Sequence, residues 1–96
     1  MGPVNGLANL LALDLEHNKI GVITGVANLA KLAYLYLSNN QIEDIAALVA
    51  SSGLNSGSFV WLQDNLLDKN CNPDNGDTTD CDNVQILKDR GVNVSW

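Results

Sequence analysis

A repeat with a fixed offset constrains this chain more than any other feature of its sequence. Seven positions in one stretch recur about 22 residues later. Leu10, Leu13, Leu15, Asn18, Ile20, Ile23 and Val26 return as Leu32, Leu35, Leu37, Asn40, Ile42, Ile45 and Leu48. A fixed period of this length is typical of a solenoid, in which each unit buries its apolar face only by stacking on its neighbours. The repeat therefore predicts a fold with an extended surface suited to contact with other molecules.

A third, degenerate copy follows at a slightly longer offset. In it, Val60, Leu62, Asn65 and Leu67 match Leu35, Leu37, Asn40 and Ile42. The additional residues fall within 44–53, where alanine and leucine favour a short helix that starts at Asp44 and stops at Gly53. We expect the repeats to span about 7–28, 29–53 and 54–70.

Each copy contains a short strand followed by an asparagine. The Leu-x-Leu step has the two-residue period of a strand whose leucines point inward. The asparagine comes where the chain turns away, so its amide can bond to backbone groups that would otherwise cost about 1–3 kcal/mol each if left unpaired. Asn18, Asn40 and Asn65 are therefore predicted to hold the fold, as rungs of a ladder.

The pattern changes after Leu67. Residues 68–82 are polar and rich in turn formers, which predicts a loop inserted before the end of the domain. Residues 83–91 have helical apolar spacing and end at Gly91, and residues 92–96 alternate as a strand does. We expect 83–96 to cap the last layer, which would otherwise expose its apolar face to water.

The two full copies share the pattern Leu-x-x-Leu-x-Leu-x-x-Asn-x-Ile, which resembles the leucine-rich repeats of bacterial surface and secreted proteins, including the 22-residue internalin type. Residues 60–67 and 87–94 are similar to the last repeat and the cap of such proteins. The resemblance implies an α/β leucine-rich repeat solenoid over 1–96, with short parallel strands on the concave face. Turns or short helices would lie on the convex face, and a helix and a strand would form the C-terminal cap. The chain departs from the family in its short array, in having no N-terminal cap, and in the segment 71–81.

The residues between the inward leucines are predicted to face the concave surface. They form columns across the strands that bring four aromatic side chains together, beside polar ones at the strand ends. Such aromatic side chains are enriched at binding hot spots, but they also stabilise a sheet by packing laterally without any ligand. The candidate partner-binding residues are Tyr34, Tyr36, Phe59 and Trp61, with Asp14, Glu16, Gln63 and Asp64 as polar neighbours.

The first layer of the array is a second candidate surface. No preceding repeat is present to cover the apolar residues Val4, Leu7, Leu10 and Leu13. Exposed apolar patches of this kind mark association sites. A homo-oligomer formed through this layer, or through the concave face, is therefore a further hypothesis.

The acidic loop suggests a metal site. Asp68, Asn70, Asn72, Asp74 and Asp77 alternate with other residues around a glycine bend, and calcium prefers oxygen ligands of this kind. The bidentate glutamate and the spacing of an EF-hand are absent, although the segment has some similarity to the acidic loops of thrombospondin type-3 repeats. A solvated loop of turn-forming residues is the alternative to calcium, and no other cofactor is expected.

Cys71 and Cys81 bracket this loop, so a disulfide between them would restrict it. The bridge would stabilise the fold by about 2–3 kcal/mol on the loop-entropy model, whereas two free thiols would be expected inside a cell. We expect the disulfide, and with it an extracellular or cell-surface location. No secretory signal is visible at the start of the chain, which fits either an intracellular protein or a piece of a longer exported one.

Composition excludes several function classes. The net charge of −6 argues against nucleic acid as a partner, because phosphate backbones attract clusters of lysine and arginine. No stretch approaches the roughly 18 apolar residues of a membrane span. His17 is the single histidine, and no nucleophile–base pair is readable near it, so an enzyme is not expected.

The sequence thus favours a protein–protein interaction module that uses an aromatic-rich concave face. The alternative is structural: a capping or self-associating fragment of a longer repeat protein, without a ligand of its own.

Overall fold

The computed structural model describes residues 12–28, 31–51 and 53–96. Four three-residue strands in these ranges form one parallel sheet in the order β1-β2-β3-β4, and they are β1 (Ala12–Asp14), β2 (Tyr34–Tyr36), β3 (Phe59–Trp61) and β4 (Asn93–Ser95). The predicted short parallel strands are therefore confirmed. A parallel sheet whose neighbours follow one another in sequence, with few helices, is compatible with a repeat solenoid.

Short helical segments connect the strands. A 3-10 helix at Thr24–Asn28 lies between β1 and β2, and helix α1 (Ala46–Ala50) lies between β2 and β3. Asp44 Oδ1 accepts a hydrogen bond from the Ala46 backbone N–H at 2.8 Å, which explains why the helix starts there. The predicted helix over 44–53 was too long, because the backbone is already extended at Ser51.

The last helix, α2 (Thr79–Asp89), begins four residues before the predicted start at residue 83. Asp77 Oδ1 accepts from the Thr79 backbone N–H at 2.8 Å, and two aspartates occupy the first turn, where the helix dipole favours negative charge. The last four residues of the predicted loop over 68–82 are therefore helical, since aspartates interpreted as loop formers lie in the first turns of the helix. A short 3-10 helix, Pro73–Asn75, lies within the remaining loop.

The core lies between the sheet and the helical segments. Its strand residues are the inward leucines and valine of the repeats, and α1, α2 and the turns supply the other half. The buried core residues are Ile23, Val26, Leu32, Leu35, Leu37, Ile42, Ile45, Leu48, Leu54, Val60, Leu62, Val84, Leu87 and Val92.

Asn40 joins two successive turns of the chain. Its Nδ2 donates to the Leu37 carbonyl of its own copy and to the Leu15 carbonyl of the preceding copy, both at 2.9 Å. Its Oδ1 accepts from the Ile20 backbone N–H at 3.1 Å. One 7 % exposed amide therefore bonds to backbone groups that are 20 and 25 residues away.

Asn65 repeats this pattern, and Asn18 repeats the part of it that lies within one turn. Asn65 Nδ2 donates to the carbonyls of Leu62 and Leu37 at 3.0 and 2.9 Å, and its Oδ1 accepts from the Ile42 N–H at 3.0 Å. Asn18 is exposed and bonds within its own turn, to the Leu15 carbonyl at 2.9 Å. The Leu15 carbonyl therefore accepts from both Asn18 and Asn40, and the Leu37 carbonyl accepts from both Asn40 and Asn65.

The backbone conformation at the strand ends also shows that the three copies are equivalent. His17, Asn39 and Asp64 have φ values of 57°, 60° and 59°, a left-handed conformation that is uncommon outside glycine. All three lie at the same place in their copies. The third copy therefore has the same backbone turn as the first two, despite its irregular offset.

Arg90 fixes the C-terminal segment to α1. Its guanidinium donates to the carbonyls of Val49 at 2.8 Å, Leu54 at 3.2 Å and Ser51 at 3.3 Å. Gly91 follows at φ 94°, where a Cβ would lie 2.9 Å from Ser56 Cα, so only glycine fits this turn. These contacts lead the chain from α2 directly into β4.

Candidate binding face

The outward positions of the sheet form two columns, one residue from each strand. The register aligns Ala12, Tyr34, Phe59 and Asn93 in one column and Asp14, Tyr36, Trp61 and Ser95 in the other. The sequence predicted Asp14 and the four aromatic residues among them. It missed Asn93 and Ser95, although the alternation of residues 92–96 was a signal for them, because the repeat period does not give the register of β4.

The four aromatic rings of these columns form one parallel block, which we call the aromatic face. Tyr36 and Trp61 stack with centroids 4.4 Å apart and planes within 2°, and Tyr34 and Phe59 stack at 5.7 Å and 5°. Phe59 and Trp61 are also parallel, at 5.6 Å and 12°. Offset parallel rings at these distances attract one another by about 0.5–1.5 kcal/mol per pair beyond the area they bury.

The same rings remain accessible from outside. Tyr34 is 43 % exposed, and the other three rings are half-buried. Lateral packing is therefore present, and so is an open aromatic surface. The two interpretations of the cluster, partner binding and lateral packing within the sheet, are therefore compatible.

The polar candidates divide between the columns and the strand ends. Asp14 is exposed beside Tyr36, and its Oδ1 accepts from the Glu16 backbone N–H at 3.1 Å. Gln63 Oε1 accepts from the Ser38 hydroxyl at 2.9 Å, which orients the amide across two copies. Asp64 follows it and is exposed.

The cysteines form the expected disulfide. Cys71 and Cys81 are bridged, with an S–S distance of 2.02 Å and Cα atoms 5.4 Å apart. Because Cys81 lies in the first turns of α2, the bridge connects the polar loop to that helix.

The loop aspartates and asparagines mostly bond to nearby backbone. Side-chain oxygens of Asp68, Asn70 and Asn72 each accept from an N–H two residues ahead, at 2.9–3.0 Å. Asp77 accepts hydrogen bonds from the hydroxyl and then from the backbone N–H of Thr79, and these bonds lower the pKa of its carboxyl below the ordinary value of 3.8. Among the described residues, no group of three or more His, Cys, Asp or Glu side chains is arranged to hold a metal ion. Calcium stays a hypothesis of the sequence, and a melting temperature that rises on calcium addition would support it.

In ranges 12–28, 31–51 and 53–96, none of the helices has the length and apolar character needed to cross a bilayer. The predicted first-layer residues Val4, Leu7 and Leu10 lie outside these ranges.

Residues 2–42 match the family model described as leucine rich repeat. The chain is also similar to prolargin of Rattus norvegicus and of Mus musculus, with 51 % identity over 39 residues in each case. Each match covers 41 % of this chain and 10 % of the relative, so the chain spans about a tenth of the curated proteins it matches. No solved structure gives a significant match.

Proposed function

We propose that this chain is a leucine-rich repeat module that recognises a protein partner through the aromatic face. The observation that carries the proposal is the parallel block of Tyr34, Tyr36, Phe59 and Trp61 on the outward side of the sheet. Aromatic side chains that are already held by packing lose little conformational freedom on binding, which makes them effective anchors. Asp14, Glu16, Gln63 and Asp64 act as the polar neighbours of these anchors.

Two further facts support this function. Leucine-rich repeats present extended surfaces that suit contacts with proteins, and residues 2–42 match that family.

The finer architecture is part of the proposal. Repeats over 7–28, 29–53 and 54–70 form a solenoid of the 22-residue internalin type, closed at its C-terminal end by α2 and β4. The regular offset between the first two copies and the packing of Arg90 on α1 support this architecture. Both curated relatives come from mammals. The disulfide supports an extracellular or cell-surface location, since such bridges persist in oxidising compartments.

A capture experiment tests the aromatic face. The immobilised wild-type chain and a Tyr36→Ala/Trp61→Ala variant are exposed to the same extracellular protein fraction, and bound proteins are quantified by mass spectrometry. We expect the specific set to be lost with the variant, because large aromatic truncations at hot spots cost about 2 kcal/mol or more. Ile86→Ala, which truncates an exposed side chain on α2, is the matched control. Equal capture by all three proteins would contradict the proposal.

The structural alternative predicts self-association instead of an external partner. Light scattering of the wild type over a wide concentration range separates the two. A stable oligomer that the Tyr36/Trp61 variant cannot form would favour the alternative, whereas a monomer at high concentration would exclude it.

A further inference from the structure

The ring stack of the aromatic face ends at β3, one strand before the sheet itself ends. Tyr36 and Trp61 are 4.4 Å apart, close to the roughly 4.7–4.9 Å spacing of neighbouring strands. On β4 the aligned residues are Asn93 and Ser95, whose side chains are short. One rung of the stack is therefore missing above β4.

A cavity of about 450 Å³ lies at this place. Phe59 and Trp61 line it together with Asn93 and Ser95, and the rest of the lining comes from Lys88 of α2, Val92 and Val94. An aromatic wall with a few polar groups is the usual composition of a ligand site. A planar ring placed in it would stack on Trp61 as Trp61 stacks on Tyr36.

The backbone of β4 favours an extended ligand. The Asn93 N–H donates to the Ser58 carbonyl at 2.8 Å, and the Ser95 carbonyl accepts from Leu62 at 2.7 Å, so both residues bond toward β3. Backbone groups alternate along a strand, and Val94 therefore directs its N–H and C=O to the opposite edge. β4 is the last strand of the sheet in the part of the chain that the structure describes. An added strand could pair with this edge, as in other cases of β-augmentation.

Two lysine side chains lie near β4 and its cavity. Lys88 lines the cavity, and Lys69 Nζ lies 5.9 Å from the ring centroid of Trp96 at the end of the strand. The neighbouring Asp89 carboxylate accepts from Gln85 along the helix, at 2.8 Å. Two of only five basic residues therefore flank β4, although the net charge is −6. This arrangement complements an acidic ligand.

We infer that the cavity beside β4, which we call the β4 slot, receives an aromatic side chain from an acidic, extended segment of the partner protein. The inference rests on the proposed function and specifies its partner. The incoming ring leans over Asn93 and Ser95 to stack on Phe59 and Trp61, while its own segment lies along the β4 edge and a neighbouring carboxylate faces Lys88.

Peptide titrations followed by NMR test the ligand chemistry. Three acetylated and amidated pentapeptides serve as probes. The acidic tyrosine peptide has tyrosine at the centre and glutamate on both sides. The second peptide has alanine in place of the tyrosine, and the third has lysine in place of each glutamate. We expect the acidic tyrosine peptide to shift the Trp61 indole N–H and the Asn93 side-chain amide. Both other peptides should bind at least about fivefold more weakly, because each lacks either the stacked ring or the opposite charge.

Three variants test the location. Ser95→Trp fills the missing rung from within the chain and should abolish the shifts at Trp61. Lys88→Glu should weaken the acidic peptide about two- to fivefold and improve the lysine peptide. Lys19→Glu makes the same charge change at an exposed site after β1 and should leave both affinities unchanged. If Ser95→Trp does not fold, the charge exchange at Lys88 still decides the outcome.

The outcomes separate this inference from the proposed function. No shift at Trp61 with the acidic tyrosine peptide at 10 mM (about 2.7 kcal/mol of binding), or shifts that persist in Ser95→Trp, would overturn the β4 slot. If Tyr34→Ala reduces capture of the partner while Ser95→Trp and Lys88→Glu do not, the slot is wrong and the aromatic face remains. Peptide binding in the slot, together with capture that the Tyr36→Ala/Trp61→Ala variant leaves unchanged, would refute the proposed function and the assignment of the slot to that partner, while the slot would remain a site for acidic aromatic peptides.

Discussion

Replacing Asn40 by alanine removes the side chain that joins two successive turns. Of its four partners, which include the Ser38 carbonyl at 3.4 Å, only the Ile20 N–H is a donor, and leaving such a donor unpaired costs about 1–3 kcal/mol. The carbonyls of Leu15 and Leu37 lose one donor each but keep another, from Asn18 and Asn65. Each of those lost bonds is worth about 0.5–1.5 kcal/mol. After allowance for water at the partly buried Ile20, the variant should lose about 2–4 kcal/mol of unfolding free energy.

The shared carbonyls give this prediction an internal control. Asn18→Ala should lose less than about 1 kcal/mol, because this residue is exposed and Leu15 keeps the donor from Asn40. The Asn40→Ala/Asn65→Ala double variant should lose more than the sum of the single variants. In it the buried Leu37 carbonyl loses both side-chain donors at once, which should appear as a coupling energy of about 0.5–2 kcal/mol.

Urea denaturation followed by tryptophan fluorescence measures these differences. Single transitions with unchanged m-values are required for the comparison. In thermal melts, each lost kcal/mol should lower the melting temperature by about 4–8 °C for a domain of this size. An Asn40→Ala variant within about 0.5 kcal/mol of the wild-type stability, or an additive double variant, would contradict a load shared between successive turns.

Three other predictions concern the C-terminal half. Arg90→Met should lose about 2–3 kcal/mol of unfolding free energy, because three carbonyls on and after α1 lose a charged donor. As a control, Lys88→Met removes an exposed charge and should change the stability by less than about 0.5 kcal/mol. Equal effects of the two substitutions would contradict the prediction. The Cys71→Ser/Cys81→Ser variant should lose about 2–3 kcal/mol of unfolding free energy, measured by urea denaturation. An unchanged urea midpoint would show that the bridge does not restrict the unfolded chain. The folded-state pKa of Asp77 lies below its ordinary value, so its stabilising contribution is present above that ordinary value and is lost as pH falls through the folded pKa. A carboxyl NMR titration should therefore show a low midpoint for Asp77 that rises in Thr79→Val, and a midpoint that does not move would exclude the Thr79 hydroxyl as a cause.

The repeat alone was sufficient to predict how the first three strands align. Its fixed period places Leu35 over Leu13, and the two-residue period of a strand then puts Tyr34 and Tyr36 on the outward side. The third copy aligned equally well at its longer offset, because the additional residues are absorbed on the helical side of the fold.

Features formed between distant segments were not predictable in the same way. The start of α2 depends on Asp77, whose type favours loops and helix starts equally, so local sequence could not choose between them. The register that places Ser95 beside Trp61, and with it the β4 slot, follows from the path of the chain after α2. No repeat position corresponds to Arg90, so its hydrogen bonds to α1 could not be read from periodicity.

The hydrogen bonds of Arg90 also have a consequence for the order in which the chain folds during synthesis. Asn40 and Asn65 use partners that precede them, so each copy can be completed as it leaves the ribosome. The carbonyl of Val49 instead bonds to a residue 41 positions later. At translation rates of about 5–20 residues per second, that donor is synthesised about 2–8 s after its acceptor. During this interval the end of α1 is exposed to water, and it is the segment where nascent-chain proteolysis or chaperone binding should be concentrated.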